Sequence, residues 1–166
     1  MDEPVGFALF VQTESRTLLR SAWLLTGNWA TAQDLVQTAL ARTWPRFGSI
    51  PDAARAAYVR RVMLRTFLSW RARRWTGEQP TADLPDSPAR IDDFASVDLR
   101  ESVRRGLASL PPRQRAVVVL RYFLDLTESA TAEAMGCSVG TVKTQNARAL
   151  AALRVNEDLV ELEDRA

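Results

Sequence analysis

Residues 127–150 read TESATAEAMGCSVGTVKTQNARAL, two short helical patterns folded around a Gly-Cys-Ser corner. In a helix–turn–helix the first helix must stop abruptly so that the second leaves at a steep angle, and the stop needs a residue that tolerates left-handed φ. Gly136 supplies it, Cys137 tucks inward as a small hydrophobe, and Ser138 caps the next helix. Ala132 is small where the helices cross, while Val142, Ala149, Leu150 and Leu153 pin the second helix to its domain. The face left over carries Thr141, Lys143, Thr144, Gln145 and Arg148. Hydroxyls, an amide and two cations suit phosphates and base edges in a major groove. A plain helical hairpin with a solvated polar face is the competing reading.

Upstream of the corner, Ser96 caps an expected helix through Leu110, with Leu99, Val103, Leu107 and Leu110 inward and Pro111–Pro112 ending it. Pro112 also suits the first turn of the next helix, PRQRAVVVLRYFLDL. Its VVVL favours a strand, yet the surrounding helical pattern makes it a buried helix. Residues 76–95 collect Pro80, Pro85 and Pro88 with acids and few apolar side chains, the composition of a flexible linker. Before it, Phe7, Phe10, Val11, Leu18, Leu19, Trp23 and Leu24 have helical spacing up to the breaker Gly27. Asn28 or Thr31 caps a second helix with a Leu35, Val36, Ala39, Leu40 stripe, stopped at Pro45. A third begins near Pro51 or Asp52 and runs to about Arg74, with Tyr58, Val59, Val62, Met63, Phe67 and Trp70 among arginines. The expected fold is all-α: two small helical domains, 1–75 and 96–155, joined by the acidic linker and followed by an acidic tail, 156–166.

With 46% hydrophobic and 25% charged residues, the 166-residue chain has the composition of a soluble globular protein. No run approaches the roughly 18 uninterrupted apolar residues of a membrane span, and the N-terminus is acidic where a signal peptide is basic. A cytoplasmic address without membrane insertion is the expectation. A single cysteine excludes an internal disulfide, and the absence of histidine removes the usual zinc spacings and the commonest general base. No cofactor or metal is expected. The net charge of +2 conceals an alternation: +6 over residues 1–75, −4 over 76–97, +4 over 98–154 and −4 over 155–166. Basic blocks of this kind fit a polyanionic partner or a solvated face.

The stretch LPPRQRAVVVLRYFLDLTESATAEAMG with SVGTVKTQNARALAALR resembles the C-terminal DNA-binding domain of bacterial RNA polymerase sigma factors. LLRSAWLLTGNWATAQDLVQTALARTW resembles the N-terminal domain of their two-domain, extracytoplasmic-function (ECF) group, in particular its actinobacterial SigE-like branch. The resemblance implies sigma domain 2 before the linker and sigma domain 4 after it.

It further implies an alternative sigma factor that binds core RNA polymerase at the clamp coiled coil of the largest subunit and at the flap, and promoter DNA. An anti-sigma factor is a further candidate partner. By the same resemblance Asp34, Leu35, Gln37 and Arg42, with Trp44, are core-docking positions; an amphipathic helix buries side chains such as Leu35 and Trp44 first, which favours internal packing for these two and leaves Asp34 and Gln37 as the stronger candidates. Arg60, Arg61, Arg65, Trp70, Arg71, Arg73 and Arg74 would meet the minus-ten element, where single-stranded DNA wants cations and aromatic faces. Ser138, Thr141, Lys143, Thr144, Gln145 and Arg148 match the minus-thirty-five positions. The chain departs from the family pattern at Arg65, where Asn is common, at Gln145, where Arg is frequent, and at Asn146 and Thr131, where apolar residues are usual. No catalytic residue is assigned. Two other readings stay open: a stand-alone helix–turn–helix regulator, and a helical adaptor that binds protein only.

Overall fold

The computed structural model describes residues 2–74 and 97–163 of the chain, with the side chains of 2–73 and 98–156. The expected linker, Trp75, the Ser96 cap, the Arg74 side chain and the acidic side chains of the tail lie outside the described residues. The chain divides into two compact units at Ser87–Pro88, and among the described residues every regular element is helical.

The first unit holds α1 (Phe7–Thr26), α2 (Trp29–Thr43), a 3-10 turn (Trp44–Ser49) and α3 (Asp52–Arg74). Gly27 ends α1 in the left-handed region, φ 71°, donating its N–H to Trp23 O at 2.7 Å. Asn28 then starts α2, its side-chain oxygen accepting from Thr31 N–H at 3.0 Å, which satisfies one of the orphan donors of a helix N-terminus. α2 packs on both α1 and α3. The apolar stripes meet there: Leu18, Ala22 and Leu25 of α1, Leu35, Val36 and Ala39 of α2, and Val59, Met63, Leu64 and Phe67 of α3 are all buried. Each such large side chain contributes roughly 1.5–3 kcal/mol on burial. Below this interface Phe47 is fully buried, edge-on to Phe7 at 5.0 Å and Phe10 at 5.4 Å, with the Arg55 guanidinium 4.3 Å from its ring centroid.

The second unit holds α4 (Val97–Ala108), α5 (Pro112–Val118) continuing into a π turn (Val119–Phe123), α6 (Glu128–Met135) and α7 (Val139–Glu163). The VVVL segment is helical and buried as expected: Val117, Val118, Val119 and Leu120 are all at or below 4% exposure. α7 packs on α5 and α6. Leu107 and Leu110 point inward, but Leu99 is 50% exposed, contrary to its spacing. The reason is where α4 meets its neighbour: Gly106 faces Leu153, and Ser109 Oγ accepts from Asn156 Nδ2 at 2.8 Å. These contacts with α7 lie in the C-terminal half of α4, away from Leu99. Residues 156–163, set apart by their acidity, continue α7 as helix, because nothing between Arg154 and Glu163 is a Gly or Pro that would break it.

Candidate nucleic-acid interface

The corner between α6 and α7 is built as the residues require. Thr127 caps α6, accepting from Ala130 N–H at 3.0 Å. Gly136 ends it with φ 65°, donating to Glu133 O at 3.2 Å while Cys137 N–H donates to Ala132 O at 3.0 Å. This pair of bonds is a Schellman ending, and its left-handed residue costs glycine little. Ser138 then opens α7: its Oγ accepts from Thr141 N–H at 3.1 Å and lies 2.9 Å from Thr141 Oγ1.

The expected recognition residues therefore separate by task. With about 100° per residue along a helix, Val142, Ala149 and Leu153 form the buried side, and Val142 and Ala149 have no exposed surface. Lys143, Thr144 and Arg148 are exposed on the outer side, whereas Gln145 is half-buried on the flank. Ser138 and half-buried Thr141 commit their hydroxyls to the helix start, and Thr144 Oγ1 donates back to Gly140 O at 3.0 Å. Glu128 on α6 opposes Lys143: its Oε2 lies 3.8 Å from Lys143 Nζ, both side chains being exposed, so the pair is worth little.

On α3 the expected minus-ten residues do not form one stripe. Arg61 and Arg65 lie toward the outer side, Arg60 and Arg71 toward one flank, and Arg73 elsewhere, because their spacing does not follow the helical period. Arg65 and Arg73 are exposed; Arg60, Arg61 and Arg71 are half-buried. Trp70 is half-buried on the side of Met63, Thr66 and Phe67. Phe67 is 2% exposed beneath the Arg71 guanidinium, 5.8 Å from its ring centroid, so the ring is unavailable to a base.

On α2, Asp34 and Gln37 are exposed and neighbour each other across one turn. Leu35, grouped with them by resemblance, is a correction: it has no exposed surface, and a fully buried side chain presents no atom to a partner. Arg42 is exposed as a residue, yet its Nη1 donates to Thr66 Oγ1 of α3 at 2.9 Å.

Residues 10–76 match the family described as Sigma-70 region 2, and residues 100–153 match Sigma-70, region 4. The RNA polymerase sigma-E factor of Streptomyces coelicolor is 45% identical over 162 residues, spanning 96% of this chain and 89% of that one. The chain belongs to the RNA polymerase sigma factors. Within that family it is similar to the ECF RNA polymerase sigma factor SigM of Mycobacterium tuberculosis, 35% identical over 149 residues, 89% of this chain and 75% of the relative. It is an ECF sigma factor of actinobacterial type. Among solved structures, the sigma factor RpoE of Bartonella quintana, crystallised with the anti-sigma factor NepR, shares the fold with a TM-score of 0.71 at 23% identity over 89% of this chain and 94% of that one.

Two residues of this sigma factor that make hydrogen bonds between elements escaped the sequence reading. Arg115 is 5% exposed and donates Nη2 to Ala108 O at 3.1 Å and Leu110 O at 3.2 Å, closing the C-terminal end of α4 where a cation is favoured. Tyr122, on the π turn, accepts at its hydroxyl from Asn146 Nδ2 of α7 at 3.1 Å. Only the double proline before Arg115 hinted at a chain reversal that needs a carbonyl partner. Nothing local distinguishes Tyr122.

Proposed function

We propose that the chain acts in the cytoplasm as an alternative sigma factor: it binds core RNA polymerase, directs it to promoters and assists strand opening, while the polymerase carries out the chemistry. The carrying observation is the exposed Lys143–Thr144–Arg148 face of α7, held out from the domain by the Gly136 corner. On this reading α7 enters the major groove of the minus-thirty-five element, Arg148 and Lys143 supplying charge and Thr144 a hydroxyl close to the groove. Ser138 and Thr141 place the helix start, and Gln145 meets the groove from the flank, where an amide suits adenine.

The minus-ten element falls to α3. Arg61 and Arg65 line the outer side and Arg60, Arg71 and Arg73 extend the cationic surface along which a displaced strand runs, with Arg74 assigned the same partner. Trp70, half-buried, supplies an aromatic face. Asp34 and Gln37 dock on the clamp coiled coil of the largest subunit, with Leu35 and Arg42 holding α2 in place beneath them, and the second unit meets the flap. The acidic linker, 76–95, joins sigma domain 2 to sigma domain 4, and an anti-sigma factor covers these same surfaces when the protein is held inactive.

The test is run-off transcription from genomic fragments by bacterial core polymerase with and without this protein. New transcripts with defined starts are expected. Core binding without new transcripts supports the adaptor instead, and duplex binding without core supports a stand-alone regulator.

A further inference from the structure

Tyr122 lies on the π turn that ends α5, and unlike its neighbours it does not pack into the domain. Val119 and Leu120 of the same turn are buried, whereas Tyr122 is 53% exposed. Its hydroxyl still has a fixed place, because Asn146 Nδ2 reaches across from α7 and donates to it at 3.1 Å. Asn146 itself sits half-buried beside the stripe of Val142 and Ala149, and its Oδ1 is buried with no hydrogen-bond partner. A buried carbonyl left unpaired is destabilising, so packing does not account for an amide at this position. What the amide does is hold the phenol.

A tyrosine hydroxyl carries one donor and two acceptor sites. Asn146 occupies an acceptor site, so the O–H proton is left to donate elsewhere, from an exposed side chain at the border of the recognition helix. Residues 143, 146 and 150 lie along one side of α7, and Tyr122 therefore flanks the edge that carries Lys143. Elements beside a helix seated in the major groove meet the sugar–phosphate backbone rather than base edges.

We propose that Tyr122 is a further DNA-contacting residue of this sigma factor, its hydroxyl donating to a phosphate oxygen beside the groove that α7 enters, with Asn146 as the positioning residue that fixes the phenol. The proposal rests on the minus-thirty-five reading of α7. It adds a contact that is neutral, so it strengthens binding without releasing a counterion, in contrast to Lys143 and Arg148.

The experiment compares holoenzymes of core polymerase with the full-length chain on a promoter fragment recovered from the run-off transcripts, with affinity measured at several salt concentrations. Tyr122→Phe removes the hydroxyl alone. It is expected to weaken promoter binding about tenfold, the effect of one hydrogen bond to a charged group, with the slope of log affinity against log salt unchanged. Asn146→Leu is expected to raise the melting temperature, by removing the unpaired carbonyl, and at the same time to weaken promoter binding; a merely structural role moves both in the same direction. Wild-type affinity in Tyr122→Phe, or a raised melting temperature with unchanged affinity in Asn146→Leu, overturns the proposal. Arg148→Ala serves as the control for the underlying reading: if it leaves promoter use unaltered, the assignment of α7 to the groove falls and takes this proposal with it.

Discussion

Arg42 of α2 and Thr66 of α3 are joined side chain to side chain, Nη1 to Oγ1 at 2.9 Å, and the Thr66 hydroxyl passes its own proton to Val62 O at 2.8 Å. Thr66 has no exposed surface, so the link ties the proposed docking helix to the proposed minus-ten helix. Arg42→Ala is expected to cost about 1 kcal/mol, the net worth of one such bond, read as a lowered denaturation midpoint. Unchanged stability with lost polymerase binding would make Arg42 a contact instead.

Asp34 and Leu35 are adjacent in sequence and opposite in consequence. Leu35→Ala removes a fully buried side chain and is expected to destabilise the first unit by about 2–5 kcal/mol. Asp34→Ala, at an exposed position, should leave the circular dichroism and melting curve intact while reducing co-elution with core polymerase. Retained co-elution removes that face of α2 from the docking surface.

Thr131 has no exposed surface, and its hydroxyl lacks a hydrogen-bond partner. Desolvating a polar group without pairing it costs about 1–3 kcal/mol, so Thr131→Val should raise the melting temperature with no change in promoter selection. A lower melting temperature would mean that the hydroxyl is paired in solution.

Arg148 is exposed on the outer side of α7. If it meets a phosphate, Arg148→Ala should lower promoter affinity and flatten the slope of log affinity against log salt by about 0.9, the value for one neutralised phosphate. Helicity should be unchanged. Loss of helicity instead assigns Arg148 to the fold.

Glu101 on α4 accepts from Arg104 Nε at 2.9 Å and Nη2 at 2.7 Å. This hydrogen-bonded pair, with the nearby charges of Arg104 and Arg105, holds its carboxyl below the ordinary glutamate range despite some desolvation. A depressed folded-state pKa stabilises the fold above the unfolded pKa, and that contribution is lost as pH falls through the folded value. The melting-temperature gap between wild type and Glu101→Gln should therefore be present near neutrality and close in acid. Because the pair is exposed, the gap is small; a gap that widens in acid contradicts the assignment.

Much of this protein was legible without coordinates. Apolar spacing of 3–4 residues, Gly27 and Gly136 as stops, and Asn28 and Ser138 as caps are local features: each depends on a few neighbouring residues, and each element formed close to where those residues place it. The helix–turn–helix was readable for the same reason, since its corner is made by three consecutive residues whose backbone needs are fixed by their own chemistry. Tertiary packing decided what spacing leaves open. Two residues on the same nominal stripe, Leu99 and Leu107, differ in burial, and the contacts of α4 with α7 at Gly106 and Ser109 lie beside Leu107. Arg42 and Arg115, both cations that composition assigns to a surface, are drawn to Thr66 and to the carbonyls ending α4, and Tyr122 meets Asn146 from 24 positions away. Helical periodicity reports which side of a helix a residue occupies; only the folded chain brings in the distant partner that makes that side a core, a hinge pin or a contact surface.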